Sequence, residues 1–284
     1  MFSLVILYSN DRRLQLERSL AAWRAVQHFS TCDKILCVDG KAEWVPPGFR
    51  VLEIMRQGDY YCWADALNPG VEAAQHERVF YFDSDRVVQF SFIKRALELL
   101  AREDVFVATQ RLYSVKHDAT GAELRGICCC AEKHLDKLEP DHRVTSPWEL
   151  NQKTPMSGGV GFRRDTFLRY GGFDPRYRGW GYPDYDFFMT VYRDNPDAFR
   201  LLRFSELHQR HDYNSPHRIF KLQNIWNCHQ YCRKFQLDRA VLEDACDHVG
   251  VSLHNLYSAG TLEQFIEWEK IRPERLQHDA LPEL

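Results

Sequence analysis

Two carboxylates set two residues apart, in Asp83-Ser84-Asp85, are the side chains in this sequence whose type and spacing best suit chemistry. Phe80-Tyr81-Phe82 before them reads as the end of a buried strand, so the pair emerges at a strand's carboxyl end, and strand alternation puts both side chains on one side. Two close carboxylates repel, and a divalent cation relieves the repulsion. Oxygen ligands suit Mg²⁺ or Mn²⁺, either of which can bridge to a diphosphate. The plain alternative is a solvated turn. A second group is Gly179-Trp180-Gly181-Tyr182-Pro183-Asp184-Tyr185-Asp186. Its glycines permit a tight backbone around Trp180, whose indole offers a platform for a sugar ring. Asp184 and Asp186 open a helix that continues through Phe187, Phe188 and Val191. Acids at a helix start can act as caps; held beside an acceptor hydroxyl, Asp184 would be a general base. A third group is His208-Gln209-Arg210-His211-Asp212. Neutral imidazole can complete a Mn²⁺ site begun by carboxylates elsewhere.

These groups need a frame. Residues 3–8, 34–38, 49–55, 78–82 and 105–110 read as strands, and residues 14–29, 63–75 and 92–102 as helices. That alternation predicts an α/β fold with an open sheet flanked by helices. In such sheets ligands bind beyond the carboxyl ends of the strands, where Asp39 and Asp83-Ser84-Asp85 fall. Residues 114–154 are polar and irregular, read as loops and edge strands. A Gly-rich stretch, Met156 to Phe162, and a short helix over 164–170 follow. Helical patterns over 218–235, 238–248 and 262–270 make up the tail. A soft boundary near Pro216 divides residues 1–216 from a helical extension, 217–284.

Composition narrows the classes. The 284 residues are 44% hydrophobic and 27% charged, which excludes disorder, collagen and coiled coil as global descriptions. The net charge of -3 gives no basic field for nucleic acid. The apolar run at the start ends at Tyr8, too short for a signal segment, and no stretch has the length of a membrane span. Peripheral membrane contact by the tail stays open, although its basic residues are mixed with acids. Nine irregularly spaced cysteines, three of them adjacent (Cys128 to Cys130), point to a reducing cytoplasm. Cys228, Cys232, Cys246 and His248 could be read as zinc ligands, but no compact pair of the CxxC type supports it. Trp226, Tyr231 and Phe235 are read as packing the tail onto the core. Tyr60, Tyr61 and Trp63 could flank a ligand or pack the core.

Taken together, the motifs resemble the inverting GT-A glycosyltransferases that use nucleotide sugars. Val38-Asp39-Gly40, Ala66-Leu67-Asn68-Pro69-Gly70 and Phe82-Asp83-Ser84-Asp85 are similar to the nucleotide-binding stretches of the family-two enzymes. Ser157-Gly158-Gly159, Gly171-Gly172-Phe173-Asp174 and Gly179 through Asp186 resemble the acceptor-side motif of β-1,4-galactosyltransferases and polypeptide N-acetylgalactosaminyltransferases. His208 through Pro216 resembles the galactosyltransferase segment with the metal-binding histidine.

The resemblance, spanning about residues 3–216, implies a GT-A (Rossmann-like) mixed sheet flanked by helices, with the tail as an appendage. It implies transfer of a hexose or N-acetylhexosamine from a UDP-sugar to a glycan, lipid-linked or protein acceptor, in glycan or polysaccharide synthesis. Asp39 would then contact the uracil and Asp83 the ribose or nucleotide, with Asn68 and Ser84 also on the donor side. Asp85 and His208, with His211 as the alternative, would bind Mn²⁺ or Mg²⁺. Trp180 and Gly181 would line the donor sugar, and Gly159, Trp180 and Asp186 the acceptor. Asp184 would deprotonate the attacking hydroxyl. Two departures stand out: Pro183 where these families usually carry Glu, and Leu67 where they carry Arg. Two rival readings remain. Phe82-Asp83-Ser84-Asp85-Arg86-Val87 also resembles the nucleophile motif of haloacid-dehalogenase-like phosphatases. The third reading is a non-catalytic module that binds a sugar nucleotide or glycan.

Overall fold

The computed structural model describes residues 1–24, 26, 29–55, 62–115, 120, 122–124, 138–140, 159–179, 181–209 and 217–270. Strands β1 (Ser3–Tyr8), β2 (Asp33–Asp39), β3 (Arg50–Ile54) and β4 (Arg78–Asp83) are interleaved with helices α1 (Arg13–Trp23) and α2 (Trp63–Glu72). Next come β5 (Arg86–Val88), α3 (Phe90–Leu100), β6 (Phe106–Val115), β7 (Leu138–Pro140) and β8 (Gly159–Arg163). Helices α4 (Arg164–Arg169) and α5 (Pro183–Asp194) lead to β9 (Phe199–Gln209). The chain then runs through α6 (His217–Phe235), α7 (Arg239–Val249), α8 (Leu253–Ser258) and α9 (Leu262–Lys270).

Nine strands make one mixed sheet in the order β3-β2-β1-β4-β8-β6-β9-β5, with β7 paired to β6. The half from β3 to β4 is parallel, β8 is antiparallel to β4 and β6, β9 is parallel to β6, and β5 is antiparallel to β9. Helices cover both faces, which is why β1, β2 and β4 read as nearly unbroken apolar runs. On β1, Leu4 and Ile6 pack with Leu16 and Trp23 of α1 and Phe92 of α3, whereas Val5 packs with Leu67 and Val71 of α2 on the other face.

The sequence patterns locate β1 to β4 and the helices between them. The first helix is shorter than its pattern and ends at Trp23, although Val26 and Phe29 still pack into the core. The described part of the Gly-rich stretch, from Gly159 on, lies in the central strand β8. Gly159 and Gly161 stand opposite Phe82 and Phe80. A Cβ on Gly159 would lie 2.4 Å from the Phe82 ring, and one on Gly161 2.5 Å from the Phe80 ring. The aromatic rings fill the space that the glycines vacate, so a segment poor in strand propensity sits mid-sheet. The region over 114–154 lies mostly outside the described residues.

The tail has a core of its own. Trp226 stacks on Phe265 at 5.9 Å, within a cluster that holds Leu222, Leu242 and Ile266. Tyr231 and Phe235 instead join Tyr177 and Met189 of the α/β region. Cys228 Sγ and Cys232 Sγ lie 3.9 Å apart inside the apolar cluster, with Cys246 beside them.

Candidate active site

Register alone brings the acidic residues to one edge of the sheet. Leu7 at the end of β1 is level with Asp83, and Tyr8 is level with Val38, one residue before Asp39. Because β8 is antiparallel, its first residue, Gly159, reaches the same edge, opposite Phe82. The short β5 then pairs with β9 so that Arg86 stands opposite His208 and Val88 opposite Glu206. The backbone between these strands is tied down at both ends: Ser84 N–H donates to Leu7 O and Gln209 N–H to Asp85 O, each at 3.0 Å.

The result is a buried, strongly charged cluster. His208 Nε2 lies 3.5 Å from Asp85 Oδ2. Arg86 Nε is 3.7 Å from Asp85 Oδ1 and 4.0 Å from Asp83 Oδ2, and its Nη1 is 3.4 Å from Glu206 Oε1. Asp83 accepts a hydrogen bond from the Tyr81 hydroxyl at 2.6 Å, and Glu206 one from the Thr109 hydroxyl at 3.2 Å. Burial, and next the charge of Asp85, push the Asp83 pKa up to about 6 despite Arg86. Burial likewise pushes Glu206 up to about 7, against the pull of Arg86. Among the described residues, three carboxylates stand around the Arg86 guanidinium and carry more negative charge than it offsets, which is a setting that favours an added cation.

The donor set fits Mn²⁺ or Mg²⁺ of modest coordination by protein. Asp85 offers a carboxylate oxygen and His208 an imidazole nitrogen, in contact and buried. Among the described residues no three His, Cys, Asp or Glu side chains converge on one point. Arg86 and Glu206 had no signal of their own in the sequence. Each gains meaning only from the β5–β9 register.

The other expected residues have distinct placements. Asp39 ends β2 beside Gly40, whose left-handed φ of 84° turns the chain so that its N–H reaches Ile54 O at 3.0 Å. Ser84 is buried between the two carboxylates. Asn68, expected at the donor, clamps a turn: its amide nitrogen donates to Phe173 O and its oxygen accepts from Phe173 N–H, both at 2.9 Å. Gly172 in that turn is left-handed, and a Cβ there would lie 2.6 Å from Asn68 Oδ1. Gly159 is packed in, for a Cβ on it would also lie 2.6 Å from Glu206 Oε2. Trp63 makes edge contacts with Tyr81 and Phe173. Trp180 and His211 lie outside the described residues, as do Tyr60 and Tyr61.

Asp184 and Asp186 open α5 after Pro183, and both are buried. Asp186, expected at the acceptor, is held on both oxygens, by the Tyr177 hydroxyl at 2.8 Å and by Lys234 Nζ of α6 at 2.7 Å. Burial raises its pKa although Lys234 pulls the other way. Asp184 stands two residues before it, in the first turn of α5.

No family model matches this chain, and no curated protein sequence does. Solved structures do match in three dimensions. A crystal structure of GalNAc-T7 with UDP, GalNAc and Mn²⁺ aligns at a TM-score of 0.61 and 12% identity, covering 95% of this chain and 54% of that one. The chain thus spans about half the length of that structure. The mannosyltransferase PcManGT from Pyrobaculum calidifontis, in complex with GDP-Man and Mn²⁺, aligns at 0.51 and 14% identity, covering 95% of this chain and 78% of that one. At such identities the likeness is one of architecture, and it shows that this chain has the GT-A fold, a mixed sheet between helices with a helical C-terminal region.

Proposed function

We propose that this protein is a metal-dependent glycosyltransferase that moves a hexose or N-acetylhexosamine from a UDP-sugar to an acceptor hydroxyl, with inversion, in glycan or polysaccharide synthesis. The observation that carries the reading is the contact of Asp85 with His208, two buried ligand types for Mn²⁺ or Mg²⁺, at the carboxyl edge of a GT-A sheet. Two solved structures of this fold hold a nucleotide or nucleotide sugar together with Mn²⁺.

In this reading Asp85 and His208 hold the metal, with His211 the alternative to the histidine. A bound divalent cation supplies Lewis-acid stabilisation of the departing nucleoside diphosphate. Asp39 and Asp83 take the nucleoside side of the donor, and Trp180 and Gly181 the sugar. Asp184 accepts the proton of the attacking hydroxyl as its oxygen bonds to the anomeric carbon. The bond to the diphosphate breaks on the opposite face, which inverts that carbon. Pro183 in place of Glu leaves one fewer carboxylate for substrate hydroxyls and bears on which sugar fits. Six described cysteines are free thiols, which agrees with a reducing cytoplasm as the compartment. No described helix is long and apolar enough to cross a membrane.

A phosphatase of the haloacid-dehalogenase type would carry its nucleophilic Asp at the end of the first strand. Here β1 ends at Tyr8, and Asp83 belongs to the fourth strand in the chain.

The test is release of nucleoside diphosphate from a panel of nucleotide sugars with Mn²⁺, with and without EDTA. EDTA-sensitive turnover of one UDP-sugar supports the reading and names the donor. Binding of UDP without turnover under any acceptor would favour the binding module, and no UDP binding would sink both. Asp184→Asn is expected to cut transfer about 10²- to 10⁴-fold while donor affinity is retained. A variant with unchanged turnover would remove Asp184 as the base.

A further inference from the structure

The tail from His217 onward has the sequence of an appendage, yet its longest helix grips the loop that carries Trp180. Asn227 of α6 is fully buried. Its amide nitrogen donates to Arg178 O and to Gly181 O, both at 2.9 Å. Those two carbonyls bracket the bend. Gly179 and Gly181 have φ of 73° and 89°, and a Cβ on either would lie 2.4 Å from Gln223 or Asn224 of the same helix. Tyr182 is also left-handed, at 74°, although it is not a glycine. A backbone held in that region by a residue with a Cβ persists only where its surroundings impose it. The imposing element is α6, and the residue two positions past Tyr182 is Asp184. A second grip lies further along, where Lys234 bonds Asp186 at 2.7 Å and Arg193 donates to Phe235 O at 3.0 Å.

We infer that α6 is a working part of the site, and that Asn227 is a positioning residue which sets the backbone at Arg178 and at Gly181–Tyr182 and so aims Asp184. The inference rests on Asp184 being the proposed base.

Three variants test it. Asn227→Ala removes both hydrogen bonds. Asn224→Ala, at a half-buried position, loosens the packing against Gly181 more gently. Leu242→Ala shortens a side chain that the next helix, α7, contributes to the tail core, and leaves Gln223, Asn224 and Asn227 in place. Each is assayed below its melting temperature for kcat, for the donor KM and for trypsin cleavage after Arg178 in the native protein. Asn227→Ala is expected to lose roughly ten- to a hundred-fold in kcat, with donor KM within about two-fold of the parent. Asn224→Ala should move the same way and less far, and it stands in if Asn227→Ala does not fold. Leu242→Ala should keep kcat within about two-fold although it melts earlier. A parental kcat in Asn227→Ala, or in Asn224→Ala where that one stands in, overturns the inference. So does an equal loss in Leu242→Ala, which would make the tail a source of stability alone. The trypsin readout does not depend on transfer chemistry. If the parent protein turns over no donor, the proposed function fails by itself. Faster cleavage after Arg178 in Asn227→Ala than in Leu242→Ala would still uphold the clamp on the loop, and equal cleavage would overturn it.

Discussion

Asp33 and Asp83 flank the same strand at its two ends: Asp33 is level with Ser3 at the start of β1, and Asp83 with Leu7 near its finish. Their surroundings differ in kind. Asp33 accepts from the Ser3 hydroxyl at 2.9 Å, from Gln75 N–H at 3.0 Å and from two nitrogens of Arg50. Burial alone would raise its pKa, but these hydrogen bonds together hold it below the ordinary carboxylate value. At Asp83 burial, with a second carboxylate beside it, outweighs Arg86 and the Tyr81 hydroxyl, so its pKa is driven the other way. One edge of the sheet spends its carboxylate on joining strands. The other leaves a charge imbalance that a ligand can settle. Satisfaction of hydrogen bonds, more than acidity or burial, separates a structural acid from a candidate functional one.

The comparison can be broken in four ways. The largest expected effect is Asp85→Ala. Losing the proposed metal ligand should lower turnover by on the order of a thousand-fold, while the melting temperature of the metal-free protein holds or rises, because a like charge is gone. A fall in stability without loss of turnover would place Asp85 with Asp33. Next is the metal itself. Saturating Mn²⁺, at about a hundred times its Kd, should stabilise the parent protein by about 2.7 kcal/mol in thermal melts. The gain should survive in Asp33→Ala and vanish in Asp85→Ala and His208→Ala. Third, Asp33→Ala should destabilise the fold by about 2 kcal/mol, through the donors left unpaired, and leave kcat per folded molecule unchanged. The smallest effect concerns pH. A carboxyl with a lowered folded pKa contributes stability that is full above its unfolded value, near 3.9, and is lost as pH falls from there through the folded value. Asp33→Asn should therefore show a shallower loss of stability on acidification than the parent. Parallel curves would mean that Asp33 is not held below its ordinary pKa.

Much of the parallel half of the fold is legible in the sequence, since β1, β2 and β4 are apolar runs that stop at turns or acids. Asp83, Asp85 and His208 are legible too, because their residue types and local spacing carry the signal. What the sequence conceals depends on distant partners. β8 is hidden because Gly159 and Gly161 make sense only against Phe82 and Phe80. β9 is hidden because Arg200, Arg203, Glu206 and His208 give it a polar look. Arg86 and Glu206 enter the cluster only through strand pairing. Asn68 sits in a motif that points to a ligand, yet its partner is Phe173, far along the chain. In the tail, Gln223, Asn224 and Asn227 carry no signal of their own in the sequence, yet they meet the loop at Gly179 and Gly181.

The place of β9 has a consequence for how the molecule comes into being. This late strand slots between β6 and β5, both made much earlier, and only then does His208 meet Asp85. Closing so long a stretch of chain costs entropy before any contact rewards it, and pairings of this range are slow to form. During synthesis β1 to β4 can assemble while residues near 208 are still unmade. The newborn chain therefore carries Asp83 and Asp85 for a time without His208, and the contact of Asp85 with His208 is among the late events of folding.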